Sequence, residues 1–82
     1  MVGQGSNTED VTSTVYVRLL GEGTEVFRPV PALSLSSCRY VLKGQELFDP
    51  ADEQWEFVPG TTVRVERRPL SGNLVLVAVE KA

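Results

Sequence analysis

Apolar side chains recur at every second position along short stretches of this chain, and glycine or proline cuts each stretch off before it can lengthen. Successive side chains of a strand leave opposite faces, so period two is the signature of a half-buried β-strand. From Thr12 to Leu20, Val15, Val17 and Leu19 share one face while Thr14, Tyr16 and Arg18 share the other. The run Gly21, Glu22, Gly23, Thr24 then reads as a turn, because glycine takes the positive φ that a tight reversal demands. Val26 to Ala32 alternates again, with Val26 and Val30 opposing Phe27. Pro29 and Pro31 withdraw two backbone donors from one side of it, which predicts an edge strand or a bulged one.

Cys38 to Leu42 reads as a third strand, with Cys38, Tyr40 and Leu42 opposite Arg39 and Val41, ahead of a turn at Gly44. Thr61 to Arg68 puts Val63 and Val65 inward and Thr62, Arg64, Glu66 and Arg68 outward. After a turn at Ser71, Gly72 and Asn73, the stretch Leu74 to Val79 is apolar on both faces. Such a strand is central in a covered sheet or lies where a small barrel closes.

One segment carries a helical start. Asp49 suits the N-cap, Pro50 the first helical position, and Asp52 and Glu53 the positive end of the dipole. The alternation of Trp55 and Phe57, followed by Pro59 and Gly60, limits it to a single helical or 3₁₀ turn. The expected fold is therefore all-β: a small SH3-like barrel, with an OB-like one as the neighbouring choice, of about five or six short strands. It spans residues 11–82 as one domain. Residues 1–10, with Gly3, Gly5, Gln4, Ser6, Asn7 and Thr8, offer too little apolar surface to offset ordering entropy and are expected to be a flexible tail.

The run Val15, Tyr16, Val17, Arg18, Leu19, Leu20, with Gly23, Thr24, Val26, Arg28, Pro29, Val30 and Ala32, resembles a group of small bacterial proteins without an assigned activity. Phe48, Asp49, Pro50, Asp52, Glu53, Trp55, Glu56, Phe57, Pro59 and Gly60 are similar to that group's middle segment, and Leu70, Ser71, Gly72, Leu76, Val77, Ala78 and Val79 to its end. The resemblance implies a stand-alone small β domain of bacterial type and supplies no substrate or active site. The order of strand, Trp55 to Phe57, Pro59-Gly60 and strand is more loosely similar to SH3-like barrels.

Composition narrows the chemistry. A single cysteine and no histidine remove intramolecular disulfides, the common zinc sites and histidine-based triads. Eight Lys and Arg against eleven Asp and Glu give a net charge of -3, which disfavours broad attraction to a phosphate backbone. No apolar run reaches the roughly 18 residues that cross a bilayer, and Met1 to Asp10 lacks the basic start and apolar stretch of an export signal. With a lone thiol, the expected location is the cytoplasm.

Each candidate site has a plainer reading beside it. Glu46, Asp49, Asp52, Glu53 and Glu56 could offer oxygens to a hard cation, but their spacing matches no EF-hand loop. Capping and solvation account for them, so neither a metal nor a cofactor is expected. Arg64 and Arg68 share a face, with Arg67 on the opposite side of the alternation, and with Tyr16, Tyr40 or Trp55 stacking on bases would make an RNA platform; the alternative is pairing with Glu66, Glu80 or the acidic loop. Trp55 would line a peptide groove or fill the core. Cys38 is expected to be a small buried hydrophobe. The edge from Val26 to Ala32 could pair a second copy, although its prolines blunt such pairing. The leading expectation is a non-enzymatic interaction module for a protein or peptide partner, with partner-binding candidates Tyr16, Tyr40, Trp55, Arg64 and Arg68. An RNA-contacting barrel is second, and a carboxylate-based enzyme or metal-binding domain third.

Overall fold

The computed structural model describes residues 12–82; the expected tail of residues 1–10, and Val11 at the expected domain start, lie outside the described residues. Six strands and one 3₁₀ turn follow in order: β1 (Ser13–Leu20), β2 (Phe27–Ser34), β3 (Arg39–Leu42), the turn at Gln45–Leu47, β4 (Gln54–Trp55), β5 (Thr62–Leu70) and β6 (Asn73–Lys81). The domain is all-β, as the alternation required. Five of the strands follow one another in a near-ring, β1 to β2, β2 to β3, β3 to β5, β5 to β6 and β6 back to β1. The last pairing is parallel and the others antiparallel, so the sheet is mixed. The short β4 pairs with the end of β1 at Leu19 and Leu20.

The core is the inward half of each alternation. Val15, Val17 and Leu19 of β1, Val30 and Ala32 of β2, Leu42 of β3, Val63 and Val65 of β5 and Ala78 of β6 are buried together with Trp55 and Phe57. Among the described residues no polar side chain is buried. β6 lies between β5 and β1, and its adjacent Val77 and Ala78 are both buried. That explains why its sequence is apolar on two faces: one residue meets the core and the next is covered on the other side.

The two prolines of β2 sit where their missing donors do no harm. The Leu19 amide donates to the Val26 carbonyl at 2.8 Å, which fixes the phase of the β1–β2 ladder and turns the nitrogens of Pro29 and Pro31 away from β1. On that far side Phe27 to Pro31 have no partner strand among the described residues, although the Pro31 carbonyl accepts the Lys43 amide at 2.8 Å, whereas Ala32 to Ser34 pair with β3. β2 is thus an edge in its first half only.

The β5–β6 hairpin closes through Ser71 (φ 51) and Gly72 (φ 85), both left-handed, the mirror-image turn whose twist matches that of the strands. A register shift falls between Arg64 and Val65, where β5 passes from Glu80 to Ala78 on β6 and leaves Val79 as the extra residue. Beyond it the hairpin outruns its neighbours. β3 registers with β5 only at Thr62 to Arg64, and β1 with β6 only at Leu76 and Val77.

Two sequence expectations are corrected. The 3₁₀ turn lies at Gln45–Leu47, after Gly44 (φ 87), and the segment opening at Asp49 forms a single unextended turn. Its Asp49 carboxylate accepts the Ala51 amide at 2.9 Å and its carbonyl accepts those of Asp52 and Glu53, but the chain must then straighten to place Trp55 beside β1. Cys38 is exposed: β2 runs on to Ser34, so Cys38 falls in the Leu35 to Cys38 connection before β3 begins. Only its carbonyl is held, by the Val65 amide at 2.8 Å.

Candidate functional site

Arg64 and Arg68 stand on the outer face of β5 with Glu66 between them, because residues two apart share a face. Arg64 Nε donates to Glu80 Oε2 across the strand at 2.7 Å, and Arg64 Nη1 to Glu66 Oε2 at 3.2 Å. Arg68 Nη2 reaches Glu66 Oε1 at 2.9 Å. Arg68 and then Arg64 hold the Glu66 carboxyl below its ordinary range, and Glu80 followed by Glu66 pushes the Arg64 guanidinium up. The two arginines are already engaged by carboxylates.

A second cluster fastens the turn after Asp49 to β2. Arg28 grips Glu53 with two parallel bonds, Nε to Oε1 at 2.6 Å and Nη2 to Oε2 at 2.5 Å, the geometry in which a guanidinium best matches a carboxylate. Trp55 Nε1 donates to Glu53 Oε1 at 3.0 Å, which satisfies the one polar atom of a side chain that is only 4% exposed. Phe48 meets the indole edge to face, with centroids 4.9 Å apart. The bonds from Arg28 and then from Trp55 lower the Glu53 pKa from its ordinary 4.5, and Glu53 raises that of Arg28. A carboxylate whose pKa is lowered on folding adds stability that is fully present above 4.5 and lost as pH falls through the lowered value. Denaturation midpoints measured from about pH 7 to about pH 3 are therefore expected to fall below the ordinary carboxylate range, with Glu53→Gln weaker at neutral pH and flatter in acid. Identical profiles for the two proteins would remove Glu53 from the account.

The third feature is a shallow cleft of about 270 Å³ between the connection before β3 and the overhanging hairpin. It is lined by Ser37, Tyr40, Val65, Arg67, Leu74 and Leu76, with Val75 at its side. Leu74 is 70% exposed, more than any other large apolar side chain of the described residues. Tyr40 and Leu76 are half-buried against the core and form the apolar floor. Arg67 makes no ion pair or side-chain hydrogen bond among the described residues, unlike Arg64 and Arg68 on the other face.

The five expected partner-binding residues are thus dispersed. Arg64 and Arg68 share Glu66, Tyr40 lines the hairpin cleft, and Tyr16 lies half-buried by a separate depression with Phe27 and Leu70. Trp55 is buried in the core at 4% exposure, which agrees with the core-filling alternative for that side chain rather than the groove one. The acidic residues do not converge either: Glu53 is bound to Arg28, and among the described residues no three His, Cys, Asp or Glu side chains group as a metal ion requires. No helix of the described residues is long and apolar enough to cross a membrane.

Arg67 stands opposite Arg64 and Arg68, as the alternation along the sequence places it, whereas nothing in the sequence singled out Leu74. Arg67 occupies an inward position of the alternation begun by Val63 and Val65, and a charge there marks where the strand leaves the core. No protein-family model, curated protein or solved structure matches this chain.

Proposed function

We propose that the domain is a non-enzymatic interaction module that binds an extended segment of a protein partner at the overhanging β5–β6 hairpin. In this reading the near-ring of five strands is a small SH3-like barrel and the hairpin is its projecting arm. The observation that carries the proposal is the overhang itself: Leu74, 70% exposed, stands over the apolar floor of Tyr40 and Leu76. A large apolar side chain held in water beside a cleft costs solvation that a partner would recover. The RNA reading is the weaker of the two because Arg64 and Arg68 are engaged by Glu66 and Glu80, and the chain's net charge is -3. Among the described residues no arrangement of nucleophile and base favours an enzyme.

The test compares the protein with Leu74→Asp in capture from cell lysate, followed by identification of what is retained. Leu74 is exposed, so the variant is expected to keep its denaturation midpoint and lose the partner. A retained set that is the same for both proteins would overturn the hairpin site. Backbone amide shifts of Thr62 to Arg68 on titrating an oligoribonucleotide near physiological salt would overturn the choice against RNA.

A further inference from the structure

The overhang exposes backbone as well as side chains. The Val65 amide donates to the Cys38 carbonyl on the β3 side, while the Thr62 carbonyl accepts the Ala82 amide on the β6 side. Even-numbered residues of β5 therefore bond towards β6, and odd-numbered residues point away from it. From Arg67 onward no strand lies on that outer side among the described residues. The free edge presents the Arg67 amide and carbonyl and the Pro69 carbonyl. Pro69 fits a nine-residue strand because its missing donor points to this open side. The edge borders the cleft in which Arg67 has no carboxylate partner among the described residues and Tyr40, Leu74 and Leu76 supply apolar contact.

Resting on the reading above that the hairpin binds a partner, we infer that β5 takes a peptide strand from another protein along its free edge at Arg67 to Pro69. The peptide it fits is extended, with an acidic side chain set against Arg67 and an apolar one over Leu74. Strand addition of this kind draws affinity from main-chain bonds and specificity from alternate side chains. Charge disfavours a second copy of this chain at the centre of the edge. Antiparallel self-pairing about Glu66, Arg67 or Arg68 sets that residue opposite its own copy, and like charges directly opposite one another destabilise a pair. An acidic strand turns the same geometry into a charge-assisted pair.

The probe is a capped octapeptide of alternating valine and glutamate, titrated into the ¹⁵N-labelled full chain, with a valine-lysine octapeptide as its control. The acidic peptide is expected to shift the Arg67 amide, to protect it from hydrogen exchange, and to bind about tenfold or more tightly than the lysine peptide. Arg67→Glu is expected to reverse that preference. Arg67→Pro, which removes the edge's donor, is expected to abolish binding while circular dichroism shows the strands retained. Equal binding of the two octapeptides, or shifts confined to residues away from 66–70, would overturn the proposal. Should capture of a partner depend on Leu74 yet be indifferent to Arg67→Glu and Arg67→Pro, the interaction module stands and strand addition at β5 fails.

Discussion

Leu42→Ala is expected to lower the unfolding free energy by about 2–5 kcal/mol, read as a drop in the urea midpoint with little change in slope. Leu42 has the largest side chain among those with no exposed surface, and it sits in the four-residue β3 that joins β2 to β5. Its backbone is held as well: its amide donates to the Thr61 carbonyl at 2.9 Å and its carbonyl accepts the Gly60 amide at 2.8 Å. With both neighbours tied, the surrounding chain cannot collapse into the space left by the missing methyl groups, so the loss belongs near the upper part of the range. At roughly 0.05–0.15 kcal/mol per residue, a domain of this size has little stability in reserve, and the variant is expected to be partly unfolded at 37 °C. Leu47→Ala is the matched control. Leu47 is 48% exposed, so its unfolding free energy is expected to change by no more than about 0.5 kcal/mol. Equal losses from the two leucines would mean that the inward half of the alternation is not the core.

The contrast between those leucines shows why the strands were legible and the site was not. Inward positions are fixed by a local rule, since Val15, Val17 and Leu19, or Val63 and Val65, need only their own alternation and one shared interior to be placed. The edge character of β2 was legible for the same reason, because two prolines two residues apart lose their donors on one side whatever lies there. The position of the 3₁₀ turn was not. Asp49, Pro50 and Asp52 carry the stronger local signal, but Trp55 must pair with Leu19, and that long-range demand ends the turn after one winding. The exposure of Cys38 depended on how far β2 runs, which is set by its pairing with β3 rather than by its own residues. The cleft is less local still. Its lining comes from the connection before β3, from β3 itself and from both arms of the last hairpin, and it exists because one hairpin is longer than its neighbours are. Strand length relative to a partner in space is a property of the assembled sheet, which is why Arg64 and Arg68 drew attention on sequence while Arg67 faces the cleft.

Trp55→Ala is expected to cost about 3–5 kcal/mol, the effect that most sharply separates a core tryptophan from a binding one. β4 contributes two residues to the sheet, and Trp55 is the one that points inward, packed on Phe48 and buried with Phe57. Removing the indole deletes the largest apolar body in the cluster and frees Glu53 from its Nε1 donor, although Arg28 still holds the carboxylate. The unfolding must be followed by far-ultraviolet circular dichroism, since Trp55 is the chain's one tryptophan. Trp55→Phe keeps a ring against Phe48 and loses the donor, so its cost is expected to be smaller, nearer about 1–2 kcal/mol from the smaller ring and the absent hydrogen bond. The ordering follows from where the indole spends its surface. A tryptophan lining a groove would give a variant of unchanged midpoint that fails to bind, whereas one that plugs the sheet gives a variant that unfolds early and binds in proportion to the folded fraction. Because the cleft at Tyr40, Arg67 and Leu74 does not include Trp55, the folded fraction of Trp55→Phe should bind the acidic octapeptide with unchanged affinity. A loss of affinity in that variant without a loss of fold would move the binding face from the hairpin to the Trp55 region.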